Sequence, residues 1–251
     1  MKNIINHSIR LSSGAVFVAV LFLNLSLSAE GSQGFKSLFN GEDLTGWDAP
    51  EGDLWAVVDG TIDCDPKRAP SVRENLWTEE EFGDFILYVE WRFTDTPTRE
   101  DRPIILPDGT IKRDDEGNPV TETIYNADSG ILLRGQPKAQ VNIWNWPVGS
   151  GEVWGYRNDP RVSDEVRAAA TPSERADNPA GEWNTFVITM IGDRLSVILN
   201  GRNVIEHAQL PNVAESGPIA LQFHGGYNPN QESYHPASSL VQFRNIHIKE
   251  L

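Results

Sequence analysis

The chain has 251 residues, 39% apolar and 23% charged, with 36 acidic against 21 basic side chains and a formal charge of -15. Together with 21 Gly, 16 Pro and a mean hydropathy of -0.38, this excludes coiled coil, collagen and wholesale disorder. So acidic a body repels phosphate backbones and anionic lipid, which leaves neutral or cationic ligands rather than nucleic acid or a membrane surface.

Residues 1–29 carry no acidic residue and set Lys2 and Arg10 ahead of the apolar run from Ala15 to Leu23, with small residues leading to Ser28-Ala29. This pattern predicts a secretory signal peptide cleaved after Ala29. Asn24 and Ser26 interrupt the run well short of the ~20 apolar residues that a membrane span needs. The mature chain, residues 30–251, is then expected to be exported, periplasmic or extracellular. Without Lys2 and Arg10 its 19 basic residues stand against 36 acidic ones, a charge of -17. The single cysteine, Cys64, cannot form an internal disulfide and reads as a buried apolar filler.

From Phe35 onward, short apolar alternations are separated by Gly, Pro, Asn and Asp, the pattern of an all-β sandwich rather than of βαβ units. Strands are predicted over 53–64, 84–93, 129–134, 139–144, 185–191, 195–199, 219–224 and 240–248. In the strongest of them Phe85, Leu87, Val89, Trp91 and Phe93 share one face by the period of two, and that face must be core. Residues 95–125 break the rhythm as a long excursion with turn signals at 106–110 and 114–118, and with room for a hairpin of its own. Residues 155–180 hold the one short helical signal, 164–170, ended by Thr171-Pro172. Long loops of this kind are candidate rims of a site. Asn200-Gly201 marks a tight hairpin, and a bulge near Asn245 would reconcile Val241 and Phe243 on one parity with Ile246 and Ile248 on the other. The simplest account is a single all-β domain over 30–251, a jelly-roll-like sandwich of two antiparallel sheets with one short helix in a long loop.

Strand parity then sorts the polar residues. Opposite the apolar faces stand Tyr88, Glu90 and Arg92, then Arg134, then Gln140, Asn142 and Trp144, then Gln222 and His224. If those strands share one sheet, its outer face offers a carboxylate, guanidiniums, amides, an imidazole and aromatic rings. That set suits a sugar, whose hydroxyls need bidentate partners and whose C–H faces stack on rings. Trp144 and Trp146, two apart, would wall the groove. The plainer alternatives are a cross-strand charge pair of Glu90 with Arg92 or Arg134, a structural hydrogen bond for His224, and loop packing for the tryptophans. No Gly-x-Ser-x-Gly elbow, phosphate-cradling glycine loop or His-Glu-x-x-His helix occurs. The Glu-x-Asp-x-x-Glu strand of retaining sandwich glycosidases is missing as well.

An ordered set of segments spans nearly the whole mature chain: Gly34 to Trp47, Val58 to Ile62, Val89 to Arg92, Asp128 to Arg134, Pro179 to Thr185, Gly217 to Gly225 and Phe243 to Ile246. This set resembles the 3-keto-disaccharide hydrolases, a concanavalin-like sandwich family abundant in exported bacterial proteins. The resemblance implies a jelly roll and an enzyme acting on a carbohydrate substrate, a glycoside oxidised to a ketone at C3. Such a ketone acidifies the C2 proton, so that a base removes it, the C1 oxygen leaves and water adds. On that chemistry Glu90 or His224 is cast as base and acid and Arg134 as the enolate or substrate clamp. Tyr88, Arg92, Gln140, Asn142, Trp144, Trp146 and Gln222 would bind the sugar.

The family commonly shows Asn-Ser-Gly-Ile and a Glu-x-Gln-x-x-Asp strand, where this chain has Asp128-Ser129-Gly130-Ile131 and Gln140-Val141-Asn142-Ile143-Trp144-Asn145. Two carboxylates thus become amides, which implies altered chemistry, altered substrate or binding without turnover. The rival expectation is a non-catalytic carbohydrate-binding module using the same groove. No cofactor is assigned. A divalent metal such as calcium would suit the fold and the acidic loops, but no stretch has a ligand spacing, so metal ligands and oligomeric state are left open.

Overall fold

The computed structural model describes residues 34–251, and the predicted signal peptide lies outside the described residues. In chain order the strands are β1 (Lys36–Ser37), β2 (Trp47–Asp48), β3 (Trp55–Val58), β4 (Thr61–Cys64), β5 (Leu76–Phe82), β6 (Phe85–Phe93), β7 (Thr98–Pro103), β8 (Thr121–Asn126), β9 (Asp128–Leu133) and β10 (Gln136–Trp144). After helices α1 (Trp154–Arg157) and α2 (Asp164–Ala169) come β11 (Asn184–Ile191), β12 (Arg194–Leu199), β13 (Arg202–Gln209), β14 (Gly217–Leu221), β15 (Tyr227–Asn228), β16 (Ser233–Tyr234) and β17 (Val241–Glu250). The first sheet has the order β13-β12-β11-β6-β17-β4-β3, with β1 added on β17, and the second the order β10-β9-β14-β5-β2. All pairings in both are antiparallel. The expected two-sheet jelly-roll class is the one the chain adopts.

The core lies between the sheets. On β6, Phe85, Leu87, Val89, Trp91 and Phe93 are buried, while Ile86, Tyr88, Glu90 and Arg92 are half-buried on the opposite face. The five join one apolar cluster with Ile131 and Leu133 of β9, Val141 and Ile143 of β10, and Ile219 and Leu221 of β14. Each such side chain contributes roughly 1.5–3 kcal/mol by burial. A slip of one residue would exchange the five for a tyrosine, a carboxylate and a guanidinium, which is why the register is pinned.

Several local expectations meet the structure closely. Asn200 and Gly201 both take positive φ, 49° and 82°, at the β12–β13 hairpin, as a type I′ turn requires. The bulge falls at Asn245, where φ is 50° and the β17–β6 register shifts between Arg244 and His247. α2 starts at Ser163, whose hydroxyl accepts the Val166 amide, and the one-turn α1 is a second helix beside the one expected. The excursion carries its own hairpin, β7–β8, rooted by Ile105 against Trp144, Trp146 and Val148. Two elements differ. The run 53–64 is two strands turned at Asp59-Gly60, and β5 escapes the alternation rule because Glu79, Glu80 and Glu81 interrupt it with three exposed side chains.

Candidate functional site

The two sheets divide the sequence-predicted residues. Tyr88, Glu90 and Arg92 of β6 lie on the outer face of the first sheet. Gln140, Asn142 and Trp144 of β10, with Gln222 and His224 beyond β14, belong to the second. Outer faces of a sandwich point away from one another across sheets packed about 10 Å apart. Glu90 and His224 therefore do not converge on one substrate, and the single-sheet groove expected from parity is corrected to two separate faces.

The first-sheet group is satisfied internally. The Tyr88 hydroxyl donates to Glu90 Oε1 at 2.8 Å and Arg244 Nε to Glu90 Oε2 at 2.7 Å, while Arg92 donates from Nε and Nη2 to Gln242 Oε1. Both guanidiniums lie over Trp183, Arg92 at 4.6 Å and Arg244 at 3.9 Å. Burial, and then the bond to Glu90, push the Tyr88 phenol up to about 12. This is a cross-strand charge pair, with Arg244 as the partner in place of Arg92 or Arg134.

Arg134 is placed as a staple rather than as a clamp. It follows β9 at a φ of 50° and is 2% exposed. Its guanidinium donates to the carbonyls of Gly83, Gly192 and Ala214 and to the Asp84 carboxylate, tying three connecting segments together. Six residues separate it from Asp128 at the far end of β9, about 20 Å at ~3.3 Å per residue.

Along the middle of the second sheet the outer face is a floor of amides. Gln140 Nε2 donates to Gln222 Oε1 at 2.8 Å and to Asn142 Oδ1. Asn142 Nδ2 reaches toward Glu152 at 3.5 Å, and that fully buried carboxylate takes a bond from Arg157. The Gln140 side chain lies over Gly130, where an added Cβ would come within 2.6 Å of its amide nitrogen. Trp144 and Trp146 stack at 4.2 Å and 6° from parallel, and Arg102 covers the Trp146 ring at 4.2 Å. Trp144 is buried, with its indole N–H on the Gly149 carbonyl. Because Trp146 is sandwiched and Trp144 buried, the pair is a pillar and not the open stacking wall expected.

The pillar holds a polar cluster at the Asp128 end of β9. Arg102 of β7 pairs with Glu100 at 2.5 Å, and Glu100 accepts the Asn126 amide. Four buried atoms here, Arg102 Nε, Asn126 Oδ1, Asp128 Oδ1 and Trp146 Nε1, have no partner among the described residues. One such atom costs about 1–3 kcal/mol, so four together mark a place built for a ligand or water. Burial raises the Asp128 carboxyl to about 7 against the opposing pull of the nearby His224 and Arg102 charges. His224 is exposed, with Nδ1 at 2.9 Å from the Ala237 carbonyl. A carbonyl only accepts, so Nδ1 carries a proton and Nε2 is the ring nitrogen left free to act as a base. Arg102, Asn126 and Asp128 are functional candidates that strand parity misses. The one signal for Arg102 is its place in the long excursion, and the one signal for Asp128 is its departure from the Asn common at that position.

A cavity of about 590 Å³ lies on another flank, where Lys138 and Arg161 both pair with Asp159 and no unpartnered buried atom lines it. A second, of about 240 Å³, opens where Tyr125 of β8 and Asn145, the residue between Trp144 and Trp146 in sequence, come together. Among the described residues no group of three or more His, Cys, Asp or Glu converges to hold a metal ion. The floor amides offer oxygen without charge, a weak donor set for a hard cation. No helix among the described residues is long and apolar enough to cross a membrane.

A jelly roll with this amide floor and polar cluster is a carbohydrate-active class of protein. The profile of the 3-keto-alpha-glucoside-1,2-lyase-like domain matches residues 34–249, and the chain belongs to that family. Two solved structures from Parabacteroides distasonis ATCC 8503, both provisionally assigned as glycosyl hydrolases, are similar to it. The first is 18% identical, covering 91% of this chain and 99% of that one at a TM-score of 0.53. The second is 20% identical, covering 86% and 99% at 0.50. The carbohydrate binding module CBM66 from Bacillus subtilis is 13% identical, covering 82% and 96% at 0.45. At these identities the likeness is one of fold. No curated protein matches the chain.

Proposed function

We propose that the protein cleaves glycosides that carry a ketone at C3, using the cluster at the Asp128 end of the second sheet. His224 Nε2 takes the C2 proton, the Arg102 guanidinium stabilises the charge that develops on the C3 oxygen, and protonated Asp128 gives its proton to the departing C1 oxygen. The C2–H and C1–O bonds break, the C1=C2 bond forms, and the resulting enone takes up water in a hydrolytic cycle. Gln140, Asn142 and Gln222 face the ring hydroxyls.

The observation that carries this reading is the set of unpartnered buried polar atoms on Arg102, Asn126, Asp128 and Trp146, where burial raises the Asp128 carboxyl to about 7 against the pull of the nearby His224 and Arg102. Two titratable groups with contrasting environments are the mark of an acid and a base. The family match supports the substrate class, and Asp128 supplies a carboxyl where the family's Glu and Asp are Gln140 and Asn145 here. Export, proposed from residues 1–29, is tested by N-terminal sequencing of protein recovered outside the cytoplasm. The function is tested with 3-keto-trehalose, with and without added divalent metal, by following glucose release and enone absorbance. Release lost in His224→Asn and in Asp128→Asn is expected. No release by the wild type, alongside saturable binding of an unoxidised glycan, would establish a carbohydrate-binding module instead.

A further inference from the structure

The amide floor has a direction, and a buried carboxylate sets it. β10 is an edge strand of the second sheet, and residues 151–152 run along its free side. There the Asn142 amide N–H donates to the Glu152 carbonyl at 2.9 Å and the Gly151 amide N–H to the Asn142 carbonyl at 2.8 Å. Glu152 is wholly buried. One of its carboxylate oxygens takes the Arg157 guanidinium, itself buried, and the other faces Asn142 Nδ2 at 3.5 Å. A carboxylate paired with a guanidinium only accepts, whereas an amide has one accepting and one donating end. Asn142 therefore turns its nitrogen inward and its oxygen toward Gln140. Gln140 answers with Nε2, whose two protons go to Asn142 Oδ1 and Gln222 Oε1. That leaves Gln140 Oε1 and Gln222 Nε2. Neither makes a hydrogen bond among the described residues, and neither is one of the buried orphaned atoms, so both open toward solvent.

We propose that Glu152 is a positioning residue that fixes, through Asn142, the polarity in which the floor meets its ligand: an acceptor at Gln140 for a hydroxyl that donates, and a donor at Gln222 for an oxygen that accepts. That the ligand is a sugar rests on the keto-glycoside reading, whereas the direction of the amides does not.

Side-chain amide NMR of the isotope-labelled chain tests this without any substrate. In the wild type both Gln140 Nε2 protons should exchange slowly with solvent and those of Gln222 quickly, and the reverse pattern overturns the proposal. Glu152→Gln keeps the shape and adds a donor. Its carbonyl end stays on Arg157, its nitrogen meets Asn142, and the three amides should turn over. The two exchange rates then trade places, and KM for 3-keto-trehalose should rise about tenfold with kcat changed by less than about threefold. Adding Asn142→Asp restores an acceptor beside Gln140, so the wild-type exchange pattern and KM should return. A packing role for Glu152 predicts neither the trade nor the rescue, and their absence overturns the proposal. If Glu152→Gln does not fold, Gln140→Glu decides. Its carboxylate would face the Asn142 oxygen, and Tm should fall by roughly 2–6 °C; an unchanged Tm means that Asn142 turns freely, which overturns it too. If 3-keto-trehalose is not turned over, the exchange pattern still decides the polarity, and only the keto-glycoside reading falls.

Discussion

Asp128 and His224 meet through their main chains on one hydroxyl: Ser239 Oγ donates to the Asp128 carbonyl at 2.6 Å and accepts the His224 amide N–H at 2.8 Å. The Ser239 amide returns a bond to the His224 carbonyl at 3.0 Å, and Ser239 is wholly buried. Acid and base come from separate segments of chain, yet one buried atom sets their spacing. Ser239→Ala removes that atom without adding volume. The expected result is a kcat lowered about tenfold with little change in KM, since a misplaced acid–base pair weakens the transition state more than the ground state. The stability cost is about 1–3 kcal/mol. Steady-state kinetics on 3-keto-trehalose checks this, and an unchanged kcat would remove Ser239 from the positioning of the pair.

The same pair sets a pH profile. Asp128 acts while protonated, and burial raises its carboxyl to about 7, so kcat should fall as the pH rises through that value. In Asp128→Asn whatever activity remains should lose that alkaline limb. An alkaline limb that survives in the variant would assign the proton to another group.

Stability should fall with rising pH as well, over a wider window. The folded chain holds a proton on Asp128 up to about pH 7, whereas the unfolded carboxyl releases it near its ordinary 3.8. Between those values the native state binds the extra proton, so stability falls as pH rises through the window and the full penalty applies above it. Asp128→Asn lacks the penalty. Calorimetry at pH 4, 6 and 8 should show a variant Tm near wild type at the lowest pH and increasingly above it at the higher two. A constant difference across all three would mean that the buried carboxyl does not titrate there.

How far the sequence reaches is clearest on β6. Its alternation states which five side chains are core and which four face outward, because burial is a local, period-two property. It does not state that Glu90 pairs with Arg244, 154 residues away, since strand order comes from topology and leaves no local trace. Parity therefore placed Glu90 and His224 on outer faces and could not tell that the faces are different ones. The spacing of Trp144 and Trp146 predicts a shared face, and they stack. That Arg102 closes over them depends on how the β7–β8 arm docks, which no local pattern encodes. Arg134 misleads for a similar reason: the positive φ that turns it out of β9 precedes Gly135 in a turn whose geometry is read only in three dimensions.

A last pair of variants separates the two faces. Glu90→Gln should keep kcat/KM on 3-keto-trehalose within about twofold, because Glu90 lies across the sandwich from the cluster. Its partly exposed pair with Arg244 contributes about 1 kcal/mol or less. Arg134→Met should behave differently. It leaves three carbonyls and the Asp84 carboxylate without their donor; Asp84 is partly exposed and water can replace its partner, so the loss comes from the carbonyls, at about 1–3 kcal/mol for each one left unpaired, or roughly 2–12 °C in Tm apiece for a domain of this size. The activity it loses should return on cooling below its transition, as a folding defect does. A hundredfold loss of kcat in Glu90→Gln at unchanged Tm would instead put the chemistry on the first sheet and leave the Asp128 cluster as a binding surface.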